Sequence, residues 1–431
     1  MIDRLRFMML VLLASGFGWV TASQAASRLV PVDSVEALRS AMAAAQPGDT
    51  ILVAEGLYEI SGNLTAAAAG LSGAPIVVRA ARPRGVLLRF RDSTGPVEGF
   101  RVTAPWWRFE GLDIEGGCTV DSDCEHAFHL AGDADHTVIR NNVLRDFNAQ
   151  LKSNGRQVGA ATVFPDDVVV ERNTFRDTRA RSTSNPVTKL DVVGGRRWVV
   201  RANTFADFAK GGGDGISYAA FLKGNSRAGL FERNLVRCAW ATSGGTRIGL
   251  SLGGGGTGSP TMCEDGTCQP EHQDGTLRNN IIMDCSDVGI YLNRAANSRL
   301  GHNTLYATSG IDVRFSDSTA ELRNNLVGGP IRNRDGGSSS SDGDVSGITP
   351  ATFAAWFRDP ANADFRLRDG SAIVDQGVPV PWVADDFCTT VRDDGFPDVG
   401  ALEYVPEPAC LTHVGGGIPL DVLFANGFEF P

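Results

Sequence analysis

Five short segments carry the side chains with chemical reach. They are Lys189-Leu190-Asp191-Val192, Phe221-Leu222-Lys223, Arg247-Ile248-Gly249-Leu250-Ser251-Leu252, Ile290-Tyr291-Leu292-Asn293 and Ile311-Asp312-Val313-Arg314. Each alternates apolar and polar residues, as a strand with one buried face must, because successive side chains point to opposite faces. With the apolar residues inward, Lys189, Asp191, Phe221, Lys223, Arg247, Ser251, Tyr291, Asn293, Asp312 and Arg314 are expected outside. A lysine among positive neighbours has its pKa lowered toward neutrality and can act as a base. Lys223 is the candidate, with Arg247 expected one coil ahead and Lys189 one coil behind. Cations beside a substrate carboxylate let a proton leave the adjacent carbon, because the developing enolate is then stabilised. Tyr291, or His272 in Glu271-His272-Gln273-Asp274, would give a proton to the leaving oxygen.

Stacking is what must position these segments. A short phrase recurs at Arg140–Leu144, Arg172–Phe175, Ala202–Phe205, Arg233–Val236, Arg278–Ile281, His302–Leu305 and Arg323–Leu326. Its spacing of about 20–45 residues signals a solenoid, since one strand and one asparagine turn cannot bury a core alone. The fold expected is all-β, a single right-handed parallel β-helix over 76–335. Asn142, Asn173, Asn203, Asn234, Asn280, Asn303 and Asn325 should stack at one corner. Residues 27–75 read as a cap and first coil, with a helix over Val35–Ala45 begun at Asp33/Ser34. The serines Ser338–Ser341 mark a flexible break near 335–346. Beyond it, 336–431 reads as a closing segment with a helix at Phe353–Asp359 and strands at Phe365–Leu367, Ile373–Val374 and Val399–Leu402. Phe424–Glu429 reads as a sorting or attachment tag.

Arg4 and Arg6, the apolar run Phe7–Val20 and Ser23-Gln24-Ala25 form a secretory signal over 1–25. No other segment is long and apolar enough to cross a bilayer, so a secreted monomer without a transmembrane segment is expected. Eight cysteines suit an oxidising compartment. Cys118/Cys124 and Cys263/Cys268 would pin loops, Cys238/Cys285 would join adjacent coils, and Cys388/Cys410 would close the C-terminal segment. A formal charge of −10 argues against nucleic acid as the main partner.

A lysine- and arginine-bearing groove on an acidic protein suits an anionic chain, with uronic-acid polysaccharide the leading candidate. Gly212–Gly213 and Gly253–Gly256 flank the groove, and the 257–275 insertion would wall it. Lys223-Gly224-Asn225, Phe231-Glu232-Arg233-Asn234-Leu235-Val236 and Gly244-Gly245-Thr246-Arg247-Ile248-Gly249-Leu250 resemble the chondroitinase B and alginate lyase family of β-helix polysaccharide lyases. That resemblance covers about two coils. It implies Lys223 as base and Arg247 as acid or charge stabiliser, in a β-elimination. The family's arginine is usually followed by histidine-glycine, where this chain has Ile248-Gly249. Its calcium is held by two glutamates shortly before the lysine, positions without glutamate here, which leaves Asp214 as the nearest acid for calcium. A non-catalytic polysaccharide-binding adhesin, a β-helix glycoside hydrolase and a C5-epimerase are the alternatives.

Overall fold

The computed structural model describes residues 27–413 except 93, 255, 256, 258, 394 and 407–409. The signal sequence and the Phe424–Glu429 segment lie outside the described residues. Three parallel sheets of 12, 10 and 11 strands run the length of the molecule. Each coil gives one strand to each sheet, for example Val138–Arg140, Val143–Arg145 and Ala149–Asn154. The next coil repeats the pattern in register, pairing Ile139 with Val170, Leu144 with Phe175 and Leu151 with Leu190. The architecture is therefore the right-handed parallel β-helix that the repeat requires. Its interior is a column of stacked apolar side chains, in which Phe175 lies 4.9 Å from Phe205 and Phe100 lies 5.1 Å from Phe128.

The repeat asparagines form the corner between the 12- and 11-stranded sheets. Asn203 shows the pattern: its backbone N–H and its Nδ2 both donate to Asn234 Oδ1 at 3.1 Å, and Nδ2 also donates to the Val170 carbonyl at 2.9 Å. The same bonds link Asn142 through to Asn325. Amides that leave the strand ladder at the turn are thereby satisfied inside the protein. The ladder ends at Asp344, a carboxylate that accepts from Asn325 N and Nδ2 at 2.7 and 2.8 Å. Just before the corner runs a column of alternating charge: Arg79, Glu110, Arg140, Glu171, Arg201, Glu232 and Arg278 are paired neighbours. Opposite charges on adjacent strands attract and like charges repel, so this column helps hold the register.

All four expected disulfides are present, with Cys238 and Cys285 joining adjacent coils at a Cα separation of 4.8 Å. Elsewhere the structure departs from expectation. The serine run is the last rung of the stack, because Ser338–Asp342 pairs with Thr319–Arg323 and Val345–Ser346 pairs with Leu326–Val327. The N-terminal helix spans Val35–Ala43 with Ser34 as its cap. The later helix is Pro350–Trp356, and Phe357–Asp359 is extended against Asp364–Leu367. Residues 373–374 and 399–402 are turns and bends. The segment packs along the 11-stranded sheet, where Leu235, Ile281, Met283 and Leu326 share a buried cluster with Phe353, Phe365 and Val399. Among the described residues no helix is long and apolar enough to cross a membrane.

Candidate active site

The ten-stranded sheet carries the candidate chemistry on its outer face. Its register places Arg101, His129, Lys152, Asp191, Phe221, Ser251, Tyr291, Asp312 and Arg332 in one column, one residue per coil. A second column includes Val193 and Lys223, then Asn293, Arg314 and Arg334. Because Leu222 pairs with Leu252, Gly253 takes the place beside Lys223. Rungs lie about 4.8 Å apart. The Ser251/Gly253 rung is thus a bare floor, with Phe221 and Lys223 on one side and Tyr291 and Asn293 on the other. Ser251 adds no projecting group, since its hydroxyl donates to the Gly253 and Tyr291 carbonyls at 2.6 and 3.0 Å.

Lys223 is largely buried, with its Nζ 4.4 Å from the centre of the Phe221 ring. A Cβ on Gly254 would lie 2.6 Å from Lys223 Cδ, so this glycine makes room for the lysine stem to lean toward the bare rung. Burial pulls the Lys223 pKa below its ordinary value, Asp191 and Glu271 oppose the fall, and Lys152 adds to it. Asp191 is in turn ion-paired to Lys152 at 2.9 Å. Glu271 is fixed by the Gly224 N–H and the Thr257 hydroxyl, which donate to its Oε2 at 2.8 and 2.6 Å.

Beyond the bare rung opens a cavity of about 440 Å³, lined by Tyr218, Gly254, Glu271, Tyr291, Asn293 and Arg314 among others. Arg314 Nη1 donates to the Tyr291 hydroxyl at 3.1 Å, and its guanidinium lies 4.7 Å from the Phe315 ring. Asp335 beside it raises the Arg314 pKa further. Asn293 Nδ2 donates to the Gly254 carbonyl at 3.1 Å. Asp312 is buried and held by Arg332 and Arg334, each at 2.6 Å.

Four expected site residues are elsewhere. Lys189 does not face the groove. Strand alternation breaks there, so Lys189 and Leu190 both turn inward, as Ala219 and Ala220 do one coil on. Its Nζ is fully buried, 2.6 Å from the Asp177 carboxylate. Arg247 pairs with Ser217, far along the strand from Lys223, and is 1% exposed. Its guanidinium donates to the carbonyls of Cys238, Thr242 and Gly244 at 2.5, 2.9 and 2.9 Å and braces a turn. His272 is completely buried, with Nδ1 sharing a 2.7 Å hydrogen bond with the Ser226 hydroxyl, and burial pushes its pKa down to about 3. It fills the coil and cannot reach a sugar. Asp214 is exposed and bonded to Lys210 at 2.7 Å. Among the described residues no three His, Cys, Asp or Glu side chains gather where one metal ion could be held, so Asp214 has no companions for calcium.

The disulfide loop also behaves differently from a free wall. Glu264 leans back over two coils, where its N–H donates to the Gly224 carbonyl at 3.0 Å and its carboxylate takes Arg196 Nε at 2.7 Å. Sequence reasoning missed Lys152, His129, Arg101 and Tyr218. Lys152 was within reach, because Ala149-Gln150-Leu151-Lys152 alternates about as far past Asn142 as Tyr291 lies past Asn280.

Residues 260–343 match the family model described as periplasmic copper-binding protein (NosD). No curated protein matches the sequence. The structure is similar to that of pectate lyase Pel9A, with 18% identity, 89% of this chain and 98% of that chain covered, and a TM-score of 0.55. It also aligns with a rhamnogalacturonan lyase (11% identity, 80% and 96% covered, TM-score 0.49) and with an alginate lyase from Paenibacillus sp. str. FPU-7 (16%, 74% and 99%, TM-score 0.44). At such identities the likeness to Pel9A establishes a shared β-helix fold and leaves the chemistry to the residues.

Proposed function

We propose that the protein is an extracytoplasmic polysaccharide lyase that cleaves a uronic-acid-containing chain by β-elimination on the outer face of the ten-stranded sheet. Four disulfides and the periplasmic description of the matching family support the compartment. The neighbours' titles as lyases agree in reaction class. The observation that carries the reading is the bare Ser251/Gly253 rung, flanked by a buried lysine of lowered pKa and by the Tyr291–Arg314 pair.

A uronide on that floor presents C5 to Lys223. Neutral Lys223 takes the C5 proton, the C5–H electron pair becomes the C4=C5 double bond, and the C4–O bond breaks. Tyr291 gives its proton to the leaving glycosidic oxygen, and Arg314 beside it supports the phenolate. The cationic guanidinium also offers a paired hydrogen-bond fork to a uronate carboxylate. Asn293 borders the slot for sugar hydroxyls. Calcium has no assigned part in these steps.

A hydrolase needs two carboxyl groups about 5–10 Å apart. Asp191 and Asp312 are four rungs apart, about 19 Å at the usual strand spacing, and each is neutralised by its own cations. The test is incubation with alginate, pectate, chondroitin and related chains. Rising ultraviolet absorbance from an unsaturated uronide, lost in Lys223→Ala, is the expected result. New reducing ends without absorbance would indicate a hydrolase, altered C5 configuration an epimerase, and binding alone an adhesin.

A further inference from the structure

We infer that a second anionic-sugar site lies on the same sheet, around Arg101, His129 and Arg156, and that one polymer chain crosses Lys223 to occupy both. The inference rests on the lyase reading of the groove and adds where the far side of the chain is held.

A cavity of about 560 Å³ opens on the outer face of the ten-stranded sheet, lined by Thr65, Arg101, Thr103, His129, Asn154 and Arg156 among others. It has the size of a small-molecule site. No carboxylate is among its lining residues, whereas Glu271, Asp287 and Asp312 line the cavity at Tyr291. Two arginines, two threonine hydroxyls and an amide are the groups that a carboxylated, hydroxyl-rich sugar would use.

Its polar groups are oriented before any ligand arrives. His129 is gripped from both sides, with Nδ1 3.1 Å from Glu98 and Nε2 2.8 Å from Asn154 Oδ1. Glu98 also holds Arg101 at 3.0 Å, and the His129 contact pulls the Glu98 pKa down. Glu98 thus stays charged and fixes both residues. Arg156 begins a hairpin, Arg156–Val158 with Ala161–Val163, that rises from the same corner of the coil as the disulfide loop. Preorganised groups of this kind lose little entropy on binding.

The position gives the site its meaning. From Arg101 the column runs through His129, Lys152 and Asp191 to Phe221, the neighbour of Lys223, and on through Ser251 to Tyr291. Arg101 is four rungs from Phe221 on one side, about 19 Å, and Tyr291 is two rungs away on the other, about 10 Å. The base stands between two binding cavities. A chain held in both is cut internally, and an oligosaccharide too short to reach Arg101 forgoes the distal contacts.

The experiment measures equilibrium binding of uronide polymer and of a graded oligosaccharide series to Lys223→Ala protein, with and without Arg101→Ala/Arg156→Ala. Turnover is measured in the otherwise wild-type background, and thermal unfolding checks folding. The expected result is roughly tenfold or greater weakening of polymer binding, with the loss shrinking as the chain shortens, and longer early products from the unmutated enzyme. Arg156→Gln alone, on the exposed hairpin, should show the same trend if the double variant folds poorly. Equal polymer binding with and without the arginines overturns this inference while leaving the lyase reading intact. So does a loss of the same size at every chain length. Polymer bound through the arginines without elimination overturns the lyase reading and keeps the site. No binding of any anionic chain overturns both.

Discussion

The ammonium of Lys223 rests 4.4 Å from the centre of the Phe221 ring, which favours the protonated lysine through the ring's negative face. Burial and Lys152 favour the neutral form, and Asp191 and Glu271 oppose them. Lysine works as a base only when neutral, so activity should rise with pH through its pKa. Lys223→Ala should cost about 10²–10⁴-fold in kcat with affinity largely kept. Phe221→Leu and Asp191→Asn remove groups that favour the charge, and should move the rising limb of kcat/KM to lower pH. Lys152→Met removes a repelling charge and should move it to higher pH. An identical rising limb in all three variants would sink Lys223 as the titrating base.

Gly254 offers a test that leaves every reacting group in place. Its φ is not positive, so alanine fits the backbone, yet the new methyl would meet Lys223 Cδ at 2.6 Å. The lysine stem has to move away from the bare rung. Gly254→Ala should therefore lower kcat by roughly tenfold or more, because small misplacements of a reacting group are costly. Thermal stability should change little. Wild-type kcat in this variant would mean that the lean of Lys223 over Gly254 is unimportant to the reaction.

Arg247 separates the two accounts of the site. As a groove residue its loss would raise KM. As a buried brace on three carbonyls, its loss leaves those acceptors unsatisfied, at about 1–3 kcal/mol each. Arg247→Ala should lower the melting temperature by several degrees while KM for the remaining folded enzyme stays near wild type. A raised KM with unchanged stability would restore it to the groove.

The parts of this molecule that repeat were legible in the sequence, and the parts that interrupt the repeat were not. Asn142 to Asn325 announce the corner because a ladder needs the same residue at each step. Cys238 and Cys285 could be paired because both follow repeat asparagines in adjacent coils. Phe221, Lys223, Tyr291, Asn293, Asp312 and Arg314 were placed correctly on the sheet by simple alternation. Lys189 was not, because two successive residues turn inward there, a local irregularity that residue types do not encode. Arg247 failed for a different reason: an arginine at a strand start satisfies turn carbonyls as readily as it faces solvent. His272 is similar, since a histidine in a tight coil reads alike whether buried or exposed. The serine run misled because serine favours loops in general, whereas the last rung of a stack tolerates a polar strand.

His272 also makes stability depend on pH in a definite direction. Burial lowers its pKa from 6.5 to about 3, so the folded state keeps it neutral. Below about pH 6.5 the unfolded chain binds a proton that the folded chain refuses until about pH 3. The stabilising contribution is complete above the unfolded pKa, and falls as pH drops, by at most ~1.4 kcal/mol per pH unit. His126, lowered to about 4, adds a slope of the same sign over a narrower range. His272→Gln removes one titrating group and should flatten the fall in melting temperature between pH 6.5 and about 4, leaving the His126 part. It also disturbs the 2.7 Å contact with Ser226, so its stability near neutral pH should be lower than that of the wild type. The deciding quantity is the slope rather than the height of the curve. Parallel curves for wild type and His272→Gln across that range would show that His272 is not a neutral, buried group in the coil.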